Sequence, residues 1–373
     1  MNVLITGYNG FVGKNLTSYL KINKINIFKF GSKNSFSYLE KNISKIDLIF
    51  HLAGQNRANK KNKFEKNNNV LAYKLIQYQK KKKLSIPMVF TSTIKVKEDS
   101  YYGITKKKSE DILYKFYKLS NTSLAILRLP NLYGKWSRPN YNSVVATFCH
   151  NISRKKKVIS NNKEISLFYI DDLVKYLFKK FITNYKNFKN KKNQKIYKKF
   201  NPIKTIKVNE LEKKIKQFDS IRDTYYLPNL TNIFDKKLYS TYLTYIPKKK
   251  FTYNLIKNED NRGLFCEVFK HNNFGQISFL TINPRQTRGE HFHNTKVEKF
   301  LLISGKCTFQ FKDQNSKNKK IILCDSKKPK IVETIPGWVH KIYNSTNKLA
   351  IVMIWTNEVF DANNPDTYAK IIK

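Results

Sequence analysis

The sequence is poor in cysteine, in arginine and in long apolar runs, and each shortage removes a class of function. Its four cysteines, at positions 149, 266, 307 and 324, show no Cys-x2-Cys spacing. That argues against a sulfur-rich zinc module or a dense disulfide framework and fits reduced thiols in a cytosolic protein. No apolar stretch is long enough to span a bilayer, and the first strand begins almost at Met1 with no signal peptide ahead of it. A cytoplasmic protein without a membrane span is therefore expected. Acid is scarce as well: 26 Asp and Glu face 72 Lys and Arg, a formal charge of +46. Such a charge invites a nucleic-acid reading. Only eight of the 72 basic residues are arginine, however, and the lysines are dispersed among Asn and Ile with no helix-turn-helix or zinc-finger pattern. No specific nucleic-acid partner is expected, although polyanions will adhere at low salt. Basic runs such as 80–83 and 154–157 read as solvated faces.

What is present begins with glycine placed where a turn needs it. Val3-Leu4-Ile5-Thr6-Gly7-Tyr8-Asn9-Gly10-Phe11-Val12-Gly13 reads as a buried strand, a glycine-spaced turn and the start of an amphipathic helix. There Gly7 permits the tight turn, Gly10 lets backbone amides approach a pyrophosphate, and Gly13 lets helix and strand pack closely. Tyr8, Phe11 and Val12 complete this candidate cofactor-binding turn. Residues 46–54 form another buried strand, whose small end Leu52-Ala53-Gly54 would lie beside the cofactor. Residues 87–93 form a third, which delivers hydroxyls at Thr91-Ser92-Thr93.

Tyr102-Gly103-Ile104-Thr105-Lys106 then sets a phenol and an ammonium four residues apart, on one face of a helix. A lysine near a phenol stabilises the phenolate and brings its pKa from about 10 towards neutrality, so that Tyr102 gives or takes a proton during hydride transfer. The strand 25–30 ends in Gly31-Ser32-Lys33, with no carboxylate to bind ribose hydroxyls. Ser32 and Lys33 would instead accept the additional phosphate of NADP, so NADPH is the expected cofactor; the other reading of Lys33 is a solvated loop residue.

A chain of 373 residues exceeds the size at which one core stops growing, and two domains are expected. Strand and helix patterns alternate to about residue 180, as in a parallel sheet covered on both faces. The polar tract 184–199 reads as an exposed insertion or loop. Helical spacing over 208–218 is assigned to the first domain, and Pro247-Lys248-Lys249-Lys250 reads as a hinge. Beyond it, short strands such as 275–280 and 349–355 suggest an antiparallel barrel.

The second half carries its own cluster. His291 and His293 stand one residue apart, and on a strand such residues point the same way, while Glu298 returns a carboxylate to that face across the next turn. His340 is expected from the facing strand, in Gly337-Trp338-Val339-His340. Three imidazoles and one carboxylate suit a borderline divalent ion such as zinc, with room for water or a substrate oxygen. Three of the six histidines of the chain fall here.

Together, the glycine turn, the Leu-Ala-Gly and Thr-Ser-Thr strand ends and Tyr-x3-Lys resemble an extended short-chain dehydrogenase/reductase. That resemblance implies an α/β Rossmann-type doubly wound parallel sheet over residues 1–246. It assigns Thr93 to the substrate carbonyl, Tyr102 to acid/base work and Lys106 to its support. The segment Arg128-Leu129-Pro130-Asn131-Leu132-Tyr133-Gly134 would border nicotinamide and substrate, with Asn131 a substrate contact. The Thr93 to Tyr102 gap is shorter than most of that superfamily shows. The pattern His-x-His-x4-Glu-x6-Gly followed by Gly-x2-His resembles the two motifs of an all-β cupin barrel, over residues 247–373, with Pro336 displaced to directly before Gly337. Related cupin isomerases use an Arg-Gly-x-His segment for proton transfer. Arg288-Gly289-Glu290-His291 has that form, so His291 is either a metal ligand or a base; Lys296 and Glu290 are further candidates for the base.

The whole chain is similar to bifunctional capsular polysaccharide synthesis enzymes of the CapF/WbjC type. The similarity extends through Leu238-Tyr239-Ser240-Thr241-Tyr242-Leu243, Asp260-Asn261-Arg262-Gly263, Asn357-Glu358-Val359-Phe360-Asp361 and Pro365-Asp366-Thr367-Tyr368. It implies carbon 3 epimerisation by the cupin, with Arg262 and Lys296 contacting a UDP-linked 4-keto-2-acetamido-2,6-dideoxy-L-hexose. Reduction at carbon 4 with NADPH would follow, towards UDP-N-acetyl-L-fucosamine for capsule or O-antigen, in a homodimer. The competing readings are a single-activity reductase with a structural or regulatory cupin, and a non-catalytic cofactor sensor that binds polyanions.

Overall fold

The computed structural model describes residues 1–54, 69–98, 100–191 and 195–372. The chain forms two compact units, one of residues 1–216 with 231–247, the other of 217–230 with 248–373.

In the first unit, strands β1 (Asn2–Thr6), β2 (Asn26–Phe30), β3 (Leu48–His51), β4 (Met88–Thr93) and β5 (Leu124–Leu129) precede β6 (Asn131–Tyr133), β7 (Glu164–Tyr169), β8 (Lys195–Lys199) and β9 (Lys204–Lys207). Six of them make a sheet in the order β2-β1-β3-β4-β5-β8, parallel throughout. Strands β6, β7 and β9 form a small sheet of their own. Because side chains alternate, Val3, Ile5, Leu48, Phe50 and Val89 feed one core, with Leu16 and Leu20 of the helix Phe11–Ile22. Leu4, Ile49, Met88 and Phe90 feed a second core, with Leu75 of the helix Val70–Lys81 and Leu113 of the helix Tyr101–Leu119. A sheet apolar on both faces needs helices on both, and the crossovers supply them. The strand order reverses between β1 and β3, which opens a crevice beyond their carboxyl ends.

The tract 184–199 departs from the sequence expectation. It holds a helix, Tyr185–Lys189, and then β8, which extends the sheet beside β5. Its many lysines mask two anchors: Phe188 is buried, and Ile196 packs on the same core. Ser123 Oγ donates to the Phe188 carbonyl at 2.6 Å.

The second unit is antiparallel. Its strands are β10 (Asn258–Asp260), β11 (Gly263–His271), β12 (Gly275–Ile282), β13 (Thr287–Phe292), β14 (Glu298–Ser304), β15 (Lys306–Asp313), β16 (Lys319–Asp325), β17 (Ile331–Glu333), β18 (Trp338–Tyr343), β19 (Ala350–Thr356) and β20 (Tyr368–Ala369). They form one sheet in the order β10-β11-β12-β19-β14-β17 and another in the order β16-β15-β18-β13-β20. Both sheets contribute alternate side chains to a shared core: Leu280, Phe300, Val352 and Ile354 from the first, Phe309, Phe311 and Ile342 from the second. This is the organisation of a cupin-like domain. Residues 217–230, read above with the first domain, group here because Tyr225 and Leu227 exchange backbone bonds with Lys270, at 2.9 and 2.8 Å. Among the described residues, no helix is long and apolar enough to cross a membrane.

One buried ion pair ties helix to sheet in the first unit. Arg128 of β5 donates Nη2 and Nε to the Glu110 carboxylate at 2.7 and 3.0 Å, and Glu110 is fully buried. Burial pushes the Glu110 pKa up, but Arg128, Ser92 and Tyr197 together outweigh it and hold the group below its ordinary value. Glu110→Ala strands the guanidinium, and a loss of about 3–5 kcal/mol is expected in chemical denaturation, most of it regained by adding Arg128→Met. A loss under about 1 kcal/mol would show that the pair does not tie the helix down.

Candidate active sites

The turn after β1 is shaped by what it leaves out. Gly7 has φ +71°, and a Cβ there would lie 2.7 Å from Ala53 Cα; a Cβ on Gly13 would lie 2.2 Å from the Gly7 carbonyl oxygen. Gly7, Ala53 and Gly13 therefore touch backbone to backbone, and this contact sets the helix Phe11–Ile22 against the ends of β1 and β3. Gly10 is its N-cap, with no side chain bonded to the helix start. Tyr8 lies against Gly31, where a Cβ would come within 3.0 Å of its ring. Gly31 N donates to Asn34 Oδ1 at 2.9 Å, so Ser32 and Lys33 stand exposed at the tip of a small turn with no carboxylate in it. The arrangement fits a dinucleotide: open helix amides for a pyrophosphate, and hydroxyl and ammonium where a ribose phosphate would lie.

At the end of β4, Thr93 is buried and its Oγ1 accepts from Lys95 N at 3.2 Å, which leaves its own O–H to donate. Tyr102 and Lys106 rise from the first turns of the helix Tyr101–Leu119, capped by Ser100 Oγ on Gly103 N at 3.1 Å. Lys106 is 4% exposed; its Nζ donates to the Thr91 carbonyl at 3.0 Å and lies 4.7 Å from the Phe90 ring centroid. Burial lowers Lys106 to about 8, against a smaller upward pull from Glu110. Tyr102 differs from the expectation of a lowered pKa. Burial, then Tyr141, raises it to about 12. His51, at the end of β3, is wholly buried, its Nδ1 2.7 Å from Thr6 Oγ1, and burial with Lys106 lowers it to about 3.

Asn131, Tyr141, Ser143, Phe148 and Leu167 line a cavity of about 480 Å³. Tyr141 was not singled out from the sequence. Asp171 and Asp172 pair with Lys135 and Lys237 and so hold the helix Ile170–Leu177 in place.

In the second unit, His291, His293, Glu298 and His340 bring one ligand atom each to within 4.8 Å of one another. Their strands differ from the expected pairing: β13 and β18 are neighbours in one sheet, so His291 pairs directly with His340, and Glu298 on β14 comes from the other. A bulge makes this possible. Gly289 opposes Lys341 and His291 opposes His340, so Glu290 is the extra residue, with φ +63°. Arg288, opposite Ile342, and His291 thus both face the interior despite an odd spacing. Glu298 Oε2 lies 3.3 Å from both His293 Nε2 and His340 Nε2. Burial pushes Glu298 up, but the two imidazoles outweigh it and hold the carboxyl well below its ordinary range. Burial, then His340, lowers His291 to about 4. Both nitrogens of His340 and Nε2 of His293 are buried without a hydrogen-bond partner, which suits a cation as their missing partner.

The other candidates are engaged elsewhere. Lys296 is buried and donates Nζ to the Pro365 carbonyl at 3.0 Å and to Thr367 Oγ1 at 2.6 Å. Glu290 accepts from Lys341 at 3.2 Å. Arg262 is exposed and pairs with Asp260 at 2.6 Å, while the more buried Arg288 reaches the same carboxylate at 3.4 Å.

A buried ammonium at about 8 has a thermodynamic signature. Between pH 8 and 10.5 the unfolded chain keeps the Lys106 proton and the folded one releases it, so stability rises with pH across that window. Lys106→Met should therefore melt higher than the parent at pH 7, with the gap narrowing by pH 10. Equal melting temperatures at both values would show that the ammonium is not desolvated.

Comparison with known proteins agrees with both halves. Residues 3–196 match the NAD dependent epimerase/dehydratase family, and residues 258–368 match the polysaccharide biosynthesis C-terminal domain. The UDP-2-acetamido-2,6-beta-L-arabino-hexul-4-ose reductase of Pseudomonas aeruginosa is 40% identical over 372 residues, 99% of this chain and 98% of its own. The crystal structure of the capsular polysaccharide assembling protein CapF from Staphylococcus aureus is similar across 100% of both chains, with 34% identity and a TM-score of 0.89. A UDP-glucose 4-epimerase from Thermotoga maritima shares the fold at 19% identity and a TM-score of 0.55, over 68% of this chain and 100% of its own. The chain belongs to the NAD dependent epimerase/dehydratase family, among the CapF-type enzymes of capsular polysaccharide synthesis in which that domain precedes a polysaccharide biosynthesis C-terminal domain.

Proposed function

We propose that this protein is a bifunctional sugar-nucleotide enzyme acting in the cytoplasm. Its cupin part, residues 247–373, epimerises carbon 3 of UDP-2-acetamido-2,6-dideoxy-4-keto-L-hexose. Its reductase part, residues 1–246, then reduces the carbon 4 ketone with NADPH, towards UDP-N-acetyl-L-fucosamine. The observation that carries this reading is the convergence of four ligand-type side chains inside the second unit, which a plain reductase does not need.

In the reductase part, Gly7, Tyr8, Gly10, Phe11, Val12 and Gly13 would hold the pyrophosphate. Ser32 and Lys33 would take the ribose phosphate, with Leu52, Ala53 and Gly54 along the cofactor. Bound there, the nicotinamide supplies a hydride. Thr93 donates a hydrogen bond to the carbon 4 carbonyl, and Asn131 orients the sugar nucleotide. Tyr102, raised to about 12, is protonated at neutral pH and gives its proton to the developing alkoxide. Lys106, at about 8, is largely ammonium there and stabilises the phenolate left behind. Together, Tyr102 and Lys106 would also hold the nicotinamide ribose.

In the cupin part, the carbon 4 ketone acidifies the carbon 3 hydrogen. His291, lowered to about 4, is unprotonated at neutral pH and available either to remove it or to ligate. A divalent ion, zinc by its donor set, would be held by His291, His293, Glu298 and His340 and would supply positive charge near the enolate oxygen. Arg262 and Lys296 are the proposed substrate contacts. The binding of the Lys296 ammonium by Pro365 and Thr367 favours a second reading, a single-activity reductase with a structural cupin, which forbids carbon 3 exchange. In the second unit, the outer face of the sheet β10-β11-β12-β19-β14-β17 exposes Ile277, Ile303, Ile331 and Met353, which supports a homodimer.

Tyr102→Phe should lower carbon 4 reduction by about 10²–10⁴-fold while leaving carbon 3 deuterium exchange from the 4-keto substrate intact. Normal NADPH turnover in this variant would overturn the reductase assignment, and absent exchange in the parent would leave the single-activity reading. NADPH should bind more tightly than NADH in calorimetric titration, and Lys33→Glu should narrow or reverse the preference. Tighter NADH binding by the parent would refute it.

A further inference from the structure

The loop between His293 and Glu298 has an unusual feature: each backbone N–H of residues 294–298 is bound by a side chain from a distant segment. The Asp366 carboxylate accepts from Asn294 N at 3.0 Å, from Thr295 N and Lys296 N at 2.8 Å each, and from Thr295 Oγ1 at 3.0 Å. Asn357 Oδ1 accepts from Val297 N at 2.9 Å, and Thr334 Oγ1 accepts from Glu298 N at 2.7 Å. Asn357 also returns its own N–H to the Val297 carbonyl at 3.1 Å.

Asp366 reaches the cluster a second way. Its backbone carbonyl lies 2.6 Å from His293 Nδ1, and a carbonyl only accepts, so Nδ1 carries the hydrogen and donates it. That fixes the ring tautomer and leaves the Nε2 lone pair facing inward, 3.3 Å from Glu298 Oε2. The segment is anchored just beyond Asp366: β20 pairs with β13 at His291 and Phe292, and Lys370 N donates to the Glu290 carbonyl at 2.9 Å.

The geometry points to Asp366, assisted by Asn357, as the positioning residue of the metal centre, holding the loop that carries two of its ligands and setting the tautomer of His293. This rests on the metal-binding reading above. It gives the motifs Asn357-Glu358-Val359-Phe360-Asp361 and Pro365-Asp366-Thr367-Tyr368 a role that neither epimerisation nor reduction assigns to them. A histidine ligand whose second nitrogen donates to a carbonyl is oriented and made more basic, and loss of such a partner typically costs about 10–100-fold in metal affinity.

The test uses the full chain, stripped of metal and reloaded with Co(II). The readouts are its ligand-field absorption and the rate of Co(II) release to a chromophoric chelator. Asp366→Ala should release Co(II) at least about tenfold faster than the parent and alter the absorption bands, with Asn357→Ala acting in the same direction. Asp366→Asn keeps an acceptor oxygen and the backbone carbonyl, and should restore most of the parent behaviour. Parent-like spectrum and release in Asp366→Ala would overturn the inference while leaving the metal site standing. A parent that takes up no Co(II) would overturn the metal reading and this inference with it. If Asp366→Ala does not fold, a spectrum and release rate in Asn357→Ala that equal those of the parent overturn it.

Discussion

Burying an ionisable group costs several kcal/mol unless its surroundings compensate it, and the candidate site of each unit is built around one such group. In the first unit it is Lys106, enclosed between helix and sheet and given a single carbonyl, that of Thr91. In the second it is Glu298, which reaches from one sheet to His340 of the other and to His293 in the loop after β13. The solutions are opposite in sign. Lys106 is left under-compensated, and its affinity for a proton falls. Glu298 is over-compensated by imidazoles, and it stays ionised well below the ordinary range. The surroundings follow from these two requirements: His51 beside Lys106 is forced neutral, and Glu110 four residues on is committed to Arg128.

Much of this was legible in the amino-acid order because the constraints were local. Gly7 and Gly13 were readable since backbone contact leaves no alternative residue, and the Rossmann-like sheet followed from apolar runs broken by helical periods. The four ligand-type residues were legible from spacing, and the strand-end hydroxyl at Thr93 from its position.

What escaped was set by long-range pairing. A bulge at Glu290 changes which neighbour His291 meets, and no local pattern announces a one-residue shift in register. Strand β8 lay hidden because, of its five residues, three are lysines; only Ile196 and Tyr197 hint at it. The raised Tyr102 pKa was missed for the same reason. Tyr-x3-Lys places two groups on one helix face, but what raises Tyr102 is its burial and the approach of Tyr141, both set by tertiary packing.

The division of the chain into units has a consequence for how such a protein is inherited and engineered. The backbone passes from one unit to the other at residues 216, 230 and 247, so the two are threaded rather than joined end to end. Residues 217–230 carry buried Ile221 and Tyr225, and the bonds of Tyr225 run to Asn254, Ile256 and Lys270. A single crossover between genes at the apparent junction would leave one product with an unwanted appendage and the other with an exposed core. Exchange of the C-terminal half between relatives therefore requires this short internal segment to travel with it, which favours transmission of both halves as one unit.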